Sequence, residues 1–170
     1  MRAPGKTTQL MIMDACVLIG FLNADRTVLH LISRYVGPVY VVSPVVEELR
    51  DINDPGELIE LGLSVIEPEI EDAYIAAGNI TSISFQDRLC LLTAQRHGLT
   101  CVTNDTSLRR HCKAEGVPLL WGLELLLALN TAGGISQNIA EQIAQSIHET
   151  NPRHITRTIL KQFKEKLSRY

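Results

Sequence analysis

The chain has 170 residues, 45% of them hydrophobic and 21% charged, which allows one domain with a real core and excludes a disordered or fibrous class. Its net charge of -3 at pH 7 does not advertise a polyanion partner for the surface as a whole. Charge is uneven, however: residues 151–170 hold six basic residues and one acid, leaving 10 basic and 18 acidic residues elsewhere.

In chain order, short apolar runs alternate with helical patterns. Residues 10–13 (LMIM) read as a first strand, 15–22 as a short apolar helix and 26–36 as an amphipathic one. Residues 10–22, preceded by Arg2 and Lys6, resemble a signal-peptide core, but Asp14 interrupts them and no small-x-small site follows. The run is also too short to span a bilayer, so the expectation is a cytoplasmic protein with no membrane partner. Gly37-Pro38 breaks the chain before a second strand at 39–42 (VYVV). Ser43-Pro44 then opens a helix, with Ser as N-cap and Pro in the first helical position. Pro55-Gly56 starts another short helix, and 63–66 is a third strand. Ser84-Phe85-Gln86-Asp87 is a capping-box-like start to a helix that reaches His97 and ends at Gly98. A fourth strand follows at 100–102, a helix at 106–115 and a fifth strand at 118–120.

Strands that read as unbroken apolar runs with helices between them call for parallel crossovers and cover on both faces. The expected architecture is therefore an α/β fold: three α/β/α layers around a central, mainly parallel five-stranded sheet. Beyond Leu129 the stretch Asn130-Thr-Ala-Gly-Gly134 reads as a hinge, with helices at 136–149 and 152–167. The division is a domain over residues 1–130 and a C-terminal helical appendage over 131–170. In the last helix Ile155, Ile159, Phe163 and Leu167 share one face and leave the other basic. The four cysteines, Cys16, Cys90, Cys101 and Cys112, lack C-x-x-C spacing and read as small core residues in a reducing compartment.

Right-handed crossovers carry the C-terminal ends of all strands to one edge, where ligands of open α/β sheets bind. Four acids fall there: Asp14 after the first strand, Glu48 in the helix after the second, Asp87 at the start of the helix before the fourth, and Asp105 just after the fourth. Taken singly, Asp14 and Asp105 read as N-caps and Asp87 as a capping-box acid. Together, they would repel one another unless a cation offsets them, and Mg²⁺ or Mn²⁺ prefers oxygen donors of this kind. Val45, Leu49 and Ile52 at i, i+4, i+7 place Glu48 on the shoulder of a buried helix face and Glu47 away from it. The histidines (His30, His97, His111, His148, His154) are scattered and are given structural or solvent roles.

Asp14 after a strand, Val45-Val46-Glu47-Glu48-Leu49, Ser84-Phe85-Gln86-Asp87 with Ala94 and Gly98, and Val102-Thr103-Asn104-Asp105-x-x-Leu108 together resemble a PIN domain over about residues 10–125. PIN domains are small metal-dependent ribonucleases, and many prokaryotic members are VapC-type toxins of toxin–antitoxin pairs. The resemblance implies that Asp14, Glu48, Asp87 and Asp105 are the catalytic residues and hold one or two Mg²⁺ or Mn²⁺ ions. It implies that Thr103 and Asn104 orient a carboxylate or a coordinated water. It further implies an RNA substrate attacked in line by water, a small antitoxin partner, and a dimeric state that the apolar helices permit. Arg88 and Arg109, close to the acids in sequence, are the candidates for contacting RNA phosphates. Residues 131–170 lie outside the resemblance.

Two other classes compete. An aspartyl-phosphate enzyme also uses an Asp after the first strand, but the phosphatase type wants an acid where Cys16 stands, and the receiver type wants a paired acid and a late Lys that are not evident. An inactive interaction module would keep the fold and use the carboxylates only as caps.

Overall fold

Met11, Ile12 and Met13 are each fully buried, so the strand they form must sit mid-sheet with helices on both faces. The structure, a computed structural model, describes residues 9–78 and 82–170. Arg2 and Lys6, weighed above as a signal-like flank, lie outside the described residues.

The elements in chain order are β1 (Met11–Met13), α1 (Ala15–Ala24), α2 (Thr27–Tyr35), β2 (Val39–Val42), α3 (Ser43–Val46), α4 (Pro55–Glu60), β3 (Leu63–Ile66), α5 (Ile70–Gly78), α6 (Phe85–His97), β4 (Thr100–Val102), α7 (Thr106–Ala114), β5 (Leu119–Leu120), α8 (Gly122–Thr131), α9 (Gln137–Thr150) and α10 (Arg157–Leu167). The strands lie in the order β3-β2-β1-β4-β5, and every neighbouring pair is parallel. The fold is thus α/β with a five-stranded parallel sheet flanked by helices, as the apolar runs required.

Chain order runs outward from β1 through β2 to β3 on one side, and from β4 to β5 on the other. The winding reverses between β1 and β4, which makes the C-terminal ends of those strands the natural crevice. Met13 stands in register with Val102, and the Asp14 N–H donates to the Val102 carbonyl at 3.2 Å, so Asp14 and Thr103 leave the sheet side by side. Helix α6 lies over β1, β2 and β4 and brings its first turn to the same crevice. Its C-terminus closes at Gly98, whose φ of 65° is the left-handed conformation a side chain disfavours.

The structure corrects several sequence expectations. The helix after β2 is a single turn, α3, with Val42 and not Ser43 in the cap position. The Ser43 hydroxyl donates to Glu67 at 2.6 Å and is therefore not available to the helix start. Residues beyond Val46 continue as tight turns, with Glu48 N–H bonded to the Val45 carbonyl and Leu49 N–H to that of Val46. The 100° argument for Glu48 consequently does not apply. Helix α5 was not expected: Ile70, Tyr74 and Ile75 are exposed, while the buried residues are Ala76 and Asp72, the latter paired by Arg96 through two contacts of 2.8 Å. Helix α8 was also not read as an element of its own. Helix α10 starts at Arg157 because Thr156 caps it, its hydroxyl accepting from the Ile159 N–H; residues 152–155 form turns.

Residues 131–170 pack onto the rest. Helix α9 lies along α1, and α10 along α8 and α9. Ala140, Ile143, Ala144, Ile147, Ile155, Leu160, Phe163 and Leu167 join the same apolar cluster as the strands. Among the described residues, no single helix is long and apolar enough to cross a membrane, and the apolar pair α1–α2 turns through 116°.

A shared core has a measurable consequence. Phe163→Ala should cost about 3 kcal/mol, as aromatic truncation in a packed core does. In calorimetry or denaturant titration the loss should appear as a shift of one transition for the whole chain, whereas an independent appendage would split off a separate, earlier transition.

Candidate functional site

The site begins with two helix caps. Asp14 ends β1 in an extended conformation, and its Oδ1 accepts from the Val17 N–H at 2.9 Å, which starts α1. Asp105 does the same for α7, its Oδ1 accepting from the Leu108 N–H at 2.8 Å. The capping reading of both residues is therefore correct. Ser84 caps α6, accepting from the Asp87 N–H at 3.1 Å, and that cap places the Asp87 carboxylate in the first turn.

Thr103 ties two of these acids together. Its hydroxyl donates to Asp14 Oδ2 and accepts from the Asp105 N–H at 3.0 Å. Thr103 is fully buried, so this pair of bonds has no competition from solvent. Of the two roles expected for it, the bond to a carboxylate is the contact present here. Asn104 differs: its Oδ1 accepts from the Gly122 N–H at 2.9 Å, so it holds the start of α8, not an acid. A Cβ at Gly122 would stand 3.2 Å from both Asn104 side-chain polar atoms, which explains the residue at that position.

The acids act on one another electrically. Asp14 is 1% exposed, and its carboxyl is raised to about 7, first by burial and further by the charges of Asp87 and Asp105; its bonds to Thr103 and Val17 pull the other way. Asp87 is raised to about 6, again chiefly by burial, then by Asp105 and Glu48. Glu48, exposed in its turn, is raised by partial desolvation, and its charge is felt at Asp87. All four predicted acids thus belong to one neighbourhood despite the correction to α3. None of them forms an ion pair among the described residues. Yet, among those residues, no three His, Cys, Asp or Glu side chains are arranged to hold a metal ion as they stand. The cap and hydroxyl bonds on Asp14, and the Asp105 oxygen turned to its helix, account for this. The donor chemistry fits a hard divalent cation, since the oxygens are anionic, crowded and without a positive partner.

The predicted arginines are engaged inside the protein. The Arg109 guanidinium lies 3.7 Å over the Trp121 ring, and its Nη1 donates to the Thr103 carbonyl at 3.2 Å. Arg88 reaches Glu115 at 3.7 Å and keeps a buried Nε without a hydrogen-bond partner. Sequence reasoning missed Trp121. It also missed Asn151, whose Nδ2 donates to Cys16 Sγ at 3.5 Å from 135 residues away. The Cys16 thiol, where a phosphatase would want an acid, is pushed up to about 12 by burial and the nearby acids.

No family model matches the chain, and no curated protein matches it in sequence.

The sign of the pH dependence follows from the raised carboxyls. Between the ordinary value of 3.8 and the folded value of about 7, the folded state holds the Asp14 proton more firmly than the unfolded one. This contribution is fully present below the unfolded value and is lost as pH rises through the folded one. In chelator-treated buffer the melting temperature should therefore fall across that window, and Asp14→Asn should flatten the fall. Equal slopes for the two proteins would show that Asp14 does not carry the effect.

Proposed function

We propose that this chain is a divalent-metal-dependent endoribonuclease of PIN type, with Asp14, Glu48, Asp87 and Asp105 as its catalytic and metal-holding residues. One observation carries the reading: the four acids act on one another electrically at the point where the parallel sheet reverses its winding, two of them are raised well above the ordinary range, and none forms an ion pair among the described residues. Carboxyls perturbed by desolvation and by neighbouring charges in a crevice are candidates for a functional site.

In this reading Mg²⁺ or Mn²⁺ bound to the four acids supplies charge neutralisation at a phosphodiester and a more acidic water. The chain's own residues do the rest. Thr103 fixes the Asp14 carboxylate by donating to one oxygen and fixes the Asp105 backbone by accepting from its N–H. Asn104 and Gly122 lock the loop that bears Asp105 to α8. Arg109, held over Trp121, keeps a positive charge at the rim, and its hydrogen bond ends on the Thr103 carbonyl between the acids. RNA is the substrate in this reading. A small antitoxin protein is its inhibitor, and self-association as a dimer belongs to the same proposal.

A second reading has its own support: both Asp14 oxygens are already satisfied within the protein, which suits an interaction module that keeps the acids only as caps. The two readings separate cleanly. With Mn²⁺ the purified protein should cleave single-stranded RNA, and Asp14→Asn or Asp105→Asn should reduce the rate by at least roughly 100-fold. Saturating Mn²⁺ should also raise the melting temperature, because a ligand bound only by the native state adds to stability. An unchanged melting temperature together with no cleavage would leave the module reading in place.

A further inference from the structure

Next to the acids lies a cleft of about 210 Å³ between α1 and the end of α9. Its wall joins Cys16, Gly20 and Asn23 of α1 to Asn104 of the β4–α7 loop and to Ile147 and Asn151 at the end of α9. Two of these residues adjoin the acids in the chain, Cys16 two places after Asp14 and Asn104 directly before Asp105. The residues on the wall are uncharged.

The polar groups in the wall are amides with unused capacity. Asn104 is 5% exposed, and its Oδ1 is taken by the Gly122 N–H. Its Nδ2 has no hydrogen-bond partner among the described residues and is not one of the sealed, unsatisfied atoms, and the residue lines the cleft. Asn151 commits its Nδ2 to Cys16 Sγ, and its Oδ1 has no partner among the described residues. The cleft is thus lined by two amides, one with an uncommitted donor and one with an uncommitted acceptor, and by Ile147. Gly20 stands on the wall with room beside it: a Cβ there would meet only Ile147 Cγ2, at 3.8 Å, whereas a larger side chain would enter the space.

This lining suits a flat, uncharged ring with donors and acceptors on its edge. Asparagine amides pair with base edges, and apolar walls cover base faces. A phosphate would need cations, which this wall lacks. We propose that the cleft is a nucleobase subsite, which seats one base of single-stranded RNA beside the bond that water cleaves at the acids. The inference rests on the ribonuclease reading of those acids, and it assigns the C-terminal helices a part in substrate selection.

The test is the cleavage profile of a randomised single-stranded RNA, read by sequencing the ends produced with Mn²⁺. Wild type should show a base preference at one fixed offset from the cut. Asn151→Ala and Gly20→Leu should flatten that preference severalfold, while Gly20→Ala, whose Cβ is in ordinary contact, should keep it. The same profile in wild type and Asn151→Ala overturns the subsite even if Gly20→Leu fails to fold. If wild-type protein cuts no RNA, the ribonuclease reading fails separately. The subsite is then read by titrating adenosine, guanosine, cytidine and uridine into isotope-labelled protein. Shifts of the Asn104 and Asn151 side-chain amides that weaken in Asn151→Ala and Gly20→Leu sustain it. No shift with any of the four nucleosides overturns it.

Discussion

Burying a carboxylate at the carboxyl edge of a parallel sheet is costly, and the region around Asp14 is arranged about that cost. The residue must follow β1 directly, since its N–H completes the ladder to Val102. Its side chain is then carried into the crevice between β1 and β4, where it is almost fully excluded from water. Two hydrogen bonds, from Val17 N–H and the Thr103 hydroxyl, recover part of the lost hydration and leave the carboxyl still raised. Neighbouring acids make matters worse, not better. A fold that only needed a helix cap would do as well with Ser or Asn at this position, neither of which brings a charge. The excess cost is the physical reason to read the acids as a site.

The site is held from several directions. Thr103 joins the end of β1 to the start of α7, because one hydroxyl both donates to Asp14 and accepts from Asp105. Asn104 carries the linkage to α8 through Gly122, and Arg109 carries it to Trp121, one residue earlier. The crevice is therefore attached to the start of α8 by one residue of the β4–α7 loop, Asn104, and by one arginine of α7, Arg109. This accounts for an arginine near the acids that contacts the protein itself on two sides.

Much of this was legible in the sequence, for identifiable reasons. The strands read clearly because their residues are apolar without alternation, as sheets buried on both faces require, and β2, β3 and β4 fall at the expected residues. Asp14, Ser84 and Asp105 were readable as caps because capping is local chemistry. Helix α5 was hidden because it buries Asp72 against Arg96 beside the small Ala76 and leaves its large apolar residues, Ile70, Tyr74 and Ile75, exposed. The cap of α3 was misplaced by one residue because Glu67, 24 positions away, takes the Ser43 hydroxyl. Glu48 reaches the acids' neighbourhood all the same, from a turn and not from a helix face. The roles of Asn104, Trp121 and Asn151 depend on partners distant in the chain, which no local pattern encodes.

The last 40 residues then take on a different meaning from an appendage. Helix α9 runs back along α1, the helix that Asp14 begins, and ends with Asn151 against Cys16. Its buried residues are small or β-branched (Ala140, Ile143, Ala144, Ile147), which allows close approach to α1. Close approach at most of the interface, with Gly20 leaving one place unfilled, produces a hollow rather than a seam. That hollow is lined by Asn104, which stands in the chain between Thr103 and Asp105, the two residues joined to Asp14 by the Thr103 hydroxyl. The same packing that covers the sheet thereby extends the acidic crevice by an uncharged wall, and the two halves of the crevice differ in the chemistry they can hold: oxygen anions on one side, neutral amides on the other.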